Sequence, residues 1–99
     1  MALRDRHDFD SLVNEAEDLV VAELEAQLAR PPAGATVCVC RECVLDMAAD
    51  ALNRVRPSYR VSLMGTFSVS MAVRATYARE ISKAVREAID KIRANPSHD

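Results

Sequence analysis

The sequence predicts an all-α fold: a small helical domain of three main helices, with a cysteine-bearing loop and a short extended segment. Three observations predict it. Apolar residues recur at spacings of three and four in three separate stretches, the helical period. Prolines stand where each of those stretches stops. Two glycines and four aromatics in 99 residues leave too little turn and strand material for a β-sandwich. Apolar residues make up 49% of the chain, enough for one core, and no apolar run approaches the roughly 20 residues that cross a bilayer. The expectation is one soluble domain over residues 1–99, with 1–8 and 95–99 as flexible tails. A domain of this size buries only about two-thirds of its unfolded surface, so a metal or a second subunit is a common aid to its stability.

The first helix is read from Phe9, Leu12, Val13, Ala16, Leu19, Val20, Leu24 and Leu28, with Asp8 or Asp10 as its cap. Pro31-Pro32 ends it near Ala29, because proline lacks the amide hydrogen and restricts the residue before it. Its length of roughly 30 Å exceeds the radius of so small a domain, so one end is expected to project. PPAGATVC is then a loop. A second helix follows from about Arg41 to Val55, with Val44, Leu45, Ala48, Ala49, Leu52 and Val55 as its stripe and Pro57 as its stop. Tyr59, Val61 and Leu63 alternate, Gly65 offers a turn, and Phe67 and Val69 alternate again, which fits a short extended pair or an ordered loop. Ser70 caps the third helix, whose stripe of Met71, Ala75, Ala78, Ile81, Val85, Ala88 and Ile92 runs to Asn95-Pro96. Alanines in alternate layers allow close helix approach, in an intramolecular hairpin or at a two-fold dimer seam.

The amino terminus mixes both charge signs and carries neither a secretory h-region nor an acylation motif, so a cytoplasmic location is expected. The net charge of −2 hides an asymmetry. Residues 1–29 hold two arginines against eight acids, whereas residues 54–93 hold nine cations against three acids. Either the two segments pack with opposed fields, or the back half prepares an anion site for phosphates.

Cys38, Cys40 and Cys43 fall within six positions, the last in the first turn of the second helix. An odd, crowded set does not read as a disulfide framework. Thiolates are soft ligands, and a helix N-terminus favours the thiolate, so the spacing suits Zn²⁺. No fourth cysteine exists. His7, His98, Asp46 or a partner's residue would have to complete the set, and Asp46 is nearest in sequence. The alternative is three partly buried thiols acting as small hydrophobes, with redox sensing as a minor third. Paired carboxylates, a Ser-His-Asp set, a P-loop and G-x-G-x-x-G are all missing, and no histidine lies in a helical segment to serve as base for a thiol nucleophile, so no enzyme is expected.

Residues 38–59, C-V-C-R-E-C-V-L-D-M-A-A-D-A-L-N-R-V-R-P-S-Y, resemble the late competence development protein family, ComFB. The likeness extends through the preceding E-A-E-D-L-V-V-A-E-L-E-A-Q-L, a glycine before the last helix and the closing K-I-R-A-N-P, and it covers most of residues 9–96. It implies a mostly helical homodimer with a cysteine zinc motif, of four cysteines where the family binds zinc. It also implies a receptor for cyclic di-GMP or cyclic di-AMP, acting through an unidentified downstream protein. The runner-up is a zinc-stabilised, non-enzymatic adaptor in competence or pilus-related physiology.

A cyclic dinucleotide carries two phosphodiesters and two purine faces, which call for guanidinium forks and flat groups. Arg54, Arg56, Tyr59 and Arg60 crowd the end of the second helix and the loop after it, and Arg74 stands in the first turn of the third. Asn53 suits a base edge, and a two-fold dimer would present the set twice. Each has a plainer use: the arginines paired with acids, Tyr59 covering the core, Asn53 capping a helix. Negative net charge and the lack of a reading helix argue against nucleic acid as partner, and nothing points to membrane insertion.

Overall fold

The structure, a computed structural model, describes residues 2–31, 36–61 and 71–96. In chain order it contains α1 (Leu3–Arg6), a 3₁₀ turn (Phe9–Ser11), β1 (Leu12–Asn14), α2 (Glu15–Ala29), α3 (Arg41–Leu52), β2 (Tyr59–Val61) and α4 (Met71–Ala94). The fold is mostly helical, as the apolar period predicts, with a two-stranded antiparallel sheet added.

The core is the seam between α2, α3 and α4. Ala16, Val20 and Leu24 enter it from α2, Cys43, Met47 and Ala51 from α3, and Ile81, Ala84, Val85, Ala88 and Ile89 from α4, with Val55 closing one end. Every step within the α2 and α3 sets is four residues, one ridge per helix, which lets alanines on one helix face larger side chains on the next. On α3 this ridge is turned by about one position from the predicted stripe. Leu45 is 50% exposed and Ala49 is exposed, while Cys43 and Met47 are buried. Sulfur side chains are as apolar as the aliphatics for packing, and they set the centre of the stripe here.

The first helix starts later than its pattern suggests. Asp8 accepts from the Asp10 amide at 2.9 Å and sets a 3₁₀ turn, where Arg4 lies 5.1 Å from the Phe9 ring centroid. Leu12–Asn14 is then strand, paired with β2 so that Leu12 faces Val61 and Asn14 faces Tyr59. Neither Asp8 nor Asp10 caps α2. Asn14 does, accepting from the Ala16 amide at 3.1 Å, and the same oxygen accepts from the Ser58 amide at 2.8 Å. The Glu15 amide in turn donates to the Ser58 carbonyl at 2.7 Å. One side chain thus ends a strand, starts a helix and fixes the distant segment that leads into β2.

The extended segment around Tyr59 therefore finds its partner at Leu12–Asn14. Leu63, Gly65, Phe67, Val69 and the cap Ser70 lie outside the described residues, as does the Met71 side chain. The projecting helix is α4 rather than the first. Its 24 residues span roughly 36 Å against about 22 Å for α2. Ala75 and Ala78 of the predicted stripe are exposed because α2 and α3 do not reach that far along it.

Candidate functional site

Two constellations carry chemistry, at the two ends of α3. At its start, Cys40 is the N-cap, and its sulfur accepts from the Cys43 amide at 3.5 Å. The extended backbone before it brings Cys38 back onto the same turn. The three sulfurs lie within 4.8 Å of one another, with Cys43 buried and Cys38 and Cys40 half-buried. Hydrogen bonds from the Cys40 backbone and thiol, helped by Cys43, hold the Cys38 thiol below the usual range against partial burial and the charge of Glu42. A tetrahedral Zn²⁺ with bonds near 2.3 Å needs sulfurs roughly 3.8 Å apart, a separation that small side-chain rotations reach. The donor set fits a thiophilic cation, which would cross-link loop to helix. Neither Asp46 nor His7 joins the group. Asp46 lies a full turn inside α3, whereas Cys38 and Cys40 stand ahead of its first residue. His98 lies outside the described residues.

At the other end of α3, three of the four arginines singled out in the sequence, Arg54, Arg56 and Arg60, meet a carboxylate. Arg54 donates through Nε to Asp50 at 2.8 Å and through Nη1 to Glu87 at 3.0 Å. Arg56 grips Glu80 with Nε and Nη2 at 3.2 and 3.0 Å, and its guanidinium stands 5.9 Å from the Tyr77 ring centroid. Tyr77 also donates its hydroxyl to the Arg56 carbonyl at 2.7 Å. Arg60, on β2, pairs with Glu15 at the start of α2. Tyr59 beside it is 64% exposed and Asn53 is exposed at the C-cap of α3. Arg74 is exposed one turn before Tyr77 and has no ion-pair partner among the described residues.

Lys83 and Lys91 complete this band, 3.9 Å from Glu87 and 3.3 Å from Asp50. Arg54, Arg56, Lys83 and Lys91 thus face Asp50, Glu80 and Glu87, an excess of one positive charge before Arg74 is counted. Partial burial works to raise the Asp50 carboxyl, but hydrogen bonds from Arg54 and Lys91 outweigh it and hold that carboxyl below its ordinary value. The Asp50 bond in turn raises Arg54. Burial pushes the Tyr77 hydroxyl up, offset in part by the Arg56 charge. Reading the sequence for arginines near Tyr59 leaves out Tyr77, Lys83, Lys91 and the three acids. For Glu80, Lys83, Glu87 and Lys91 the signal is present in their spacing, which is one face of a helix.

A family model described as late competence development protein ComFB matches residues 13–96. The chain belongs to the ComFB family. No curated protein and no solved structure matches it. In this ComFB-family chain the matched span contains the thiol cluster, the charged band and the whole three-helix seam, and it begins inside β1. A further cleft of about 540 Å³ opens between the end of α2 and the middle of α4, lined among others by Gln27, Arg30, Ser82 and Arg86, and its lining includes none of the candidate ligand-binding or metal residues read from the sequence. No described helix is long and apolar enough to cross a membrane.

Proposed function

We propose that this ComFB-family chain is a non-enzymatic receptor for a cyclic dinucleotide, cyclic di-GMP or cyclic di-AMP, working as a homodimer that passes the signal to another protein. The observation that carries the reading is the charged band. Arg54 and Arg56 each commit two of their five N–H donors to carboxylates, which hold the guanidinium planes still and leave the other donors for a phosphodiester. Pre-paired forks lose little rotamer freedom on binding. Tyr59 offers an exposed ring for a purine face, and Arg74 brings an exposed charge with no ion-pair partner among the described residues.

An exposed apolar face supports a second copy. Leu12, Tyr59 and Val61 share one exposed face of the small sheet beside the band, a patch suited to burial in a two-fold contact.

Calorimetric titration with both messengers tests the reading. Arg56→Ala and Arg74→Ala are expected to weaken binding at least about tenfold, while Arg30→Ala and Arg86→Ala in the separate cleft leave it unchanged. Absence of heat with either messenger overturns the receptor; losses confined to the cleft variants move the site there.

The thiol cluster favours a second reading, a zinc-stabilised adaptor. Metal analysis of the purified chain decides it, and a Cys38→Ser, Cys43→Ser double variant that keeps both zinc and melting temperature removes the metal's role.

A further inference from the structure

We infer that the cysteine centre is an open one: it holds a divalent metal with the thiolates of Cys38, Cys40 and Cys43 and takes its fourth ligand from outside the chain, as an exchangeable soft donor of the thiolate or imidazole type. The inference rests on the second reading, that the cluster takes a metal, and concerns what completes the site.

Structural zinc sites close with four protein ligands, while sites with three protein ligands keep an exchangeable position. Among the described residues the donor group stops at three. The centre also stands at the protein's edge. Cys43, 1% exposed, forms its floor against Met47 and the core, while Cys38 and Cys40 are half-buried and Val39 between them is 61% exposed. Among the described residues, the Cys38 and Cys40 side of the centre is partly open to solvent.

The junction itself does not depend on a fourth ligand. The Val44 amide donates to the Cys40 carbonyl at 2.9 Å, and Val37, Cys38 and Cys40 pack against the core. Three thiolates and one divalent ion leave a single negative charge, which the roughly half positive charge of the α3 N-terminus offsets in part, with Arg41 and Glu42 as the first two helical residues beside it, so a neutral imidazole is the easier guest.

Cobalt substitution tests this on the full chain. The reduced protein is loaded with Co²⁺ under anaerobic conditions, and its thiolate charge-transfer and d–d bands are followed while imidazole or 2-mercaptoethanol is added. One equivalent of Co²⁺ is expected, with bands that shift saturably with each donor. Bands that ignore both donors overturn the open position and leave the metal reading standing. A chain that takes up neither Co²⁺ nor Zn²⁺ defeats both. His7→Ala, Asp46→Ala and His98→Ala are expected to leave the initial spectrum unchanged; a change in any of them names an internal fourth ligand and overturns the inference. Half an equivalent of metal, with a metal-dependent doubling of mass in light scattering, means that a second copy closes the site, and overturns it as well.

Discussion

Along α4 two environments interleave. Ile81, Ala84, Val85, Ala88 and Ile89 fill the seam with α2 and α3, while Glu80, Lys83, Glu87 and Lys91 line the edge where Arg54, Arg56 and Asp50 meet them. The seam is held by burial, which is non-directional and scales with area, so any apolar side chain on the right ridge contributes. The band is held by contacts between long, half-exposed side chains in high dielectric, each worth little to stability. What the band gains from its pairs is orientation. A region of small stabilising value and fixed geometry is suited to receive a ligand, and a region of large value is suited to carry it.

The largest effect expected of a single change is in the seam. Met47→Ala should lower unfolding free energy by about 2–5 kcal/mol in denaturant titration, whereas Leu45→Ala, on the exposed side of the same helix, should change it by under about 0.5 kcal/mol. Reversed magnitudes would put the α3 stripe back where the sequence pattern placed it. Asn14→Ala should come next, at about 1–2 kcal/mol, because one oxygen serves both a helix cap and the segment leading into β2. Asn14→Asp keeps the acceptor and should recover most of the loss.

In the band, Glu80→Gln should lower stability by no more than about 0.5 kcal/mol, a difference that disappears in high salt. If the band is the dinucleotide site, the same change loosens the Arg56 fork and lowers affinity; an unchanged or higher affinity would mean that the pair does not orient the fork for the ligand. Asp50 gives the acid limb. Its native carboxyl lies below its unfolded value, so its contribution is fully present above about pH 4 and is lost as pH falls through the lower native value. Asp50→Asn should flatten that part of the stability profile and leave neutral pH nearly unaffected in slope. The smallest change reads the other end of α3: in metal-free protein, iodoacetamide should label Cys38 at least roughly tenfold faster than buried Cys43.

Much of the fold is legible in the chain because helix burial repeats locally. Val20 and Leu24, and Ile81, Val85 and Ala88, stand at spacings that one helix face dictates. Phe9–Asn14 misleads for the same reason. Its apolar residues fit the helical period, yet an Asp8 turn and pairing with Tyr59–Val61 satisfy its backbone better than continuation of the helix. At the site, the convergence of three cysteines and the i,i+4 pair Arg54–Asp50 are readable from their spacing, while the acids that receive Arg56 and Arg60 are not, since 24 and 45 residues separate Arg56 from Glu80 and Arg60 from Glu15.

Sequence alone determined that this is a mostly helical chain of the ComFB family, that prolines stand just beyond the ends of α2 and α4, and that its three thiols meet at a helix start. Those features depend on neighbours within a few turns of chain, where covalent geometry fixes the distances. Only the tertiary structure decided that Asn14 caps α2, that Cys43 and Met47 centre the α3 ridge, and that every arginine beside Tyr59 meets a carboxylate. The Asn14 oxygen is shared with the distant Ser58 amide, and the pairs Arg56–Glu80 and Arg60–Glu15 join elements remote in sequence, so these distances exist only after the three helices have closed over their common seam.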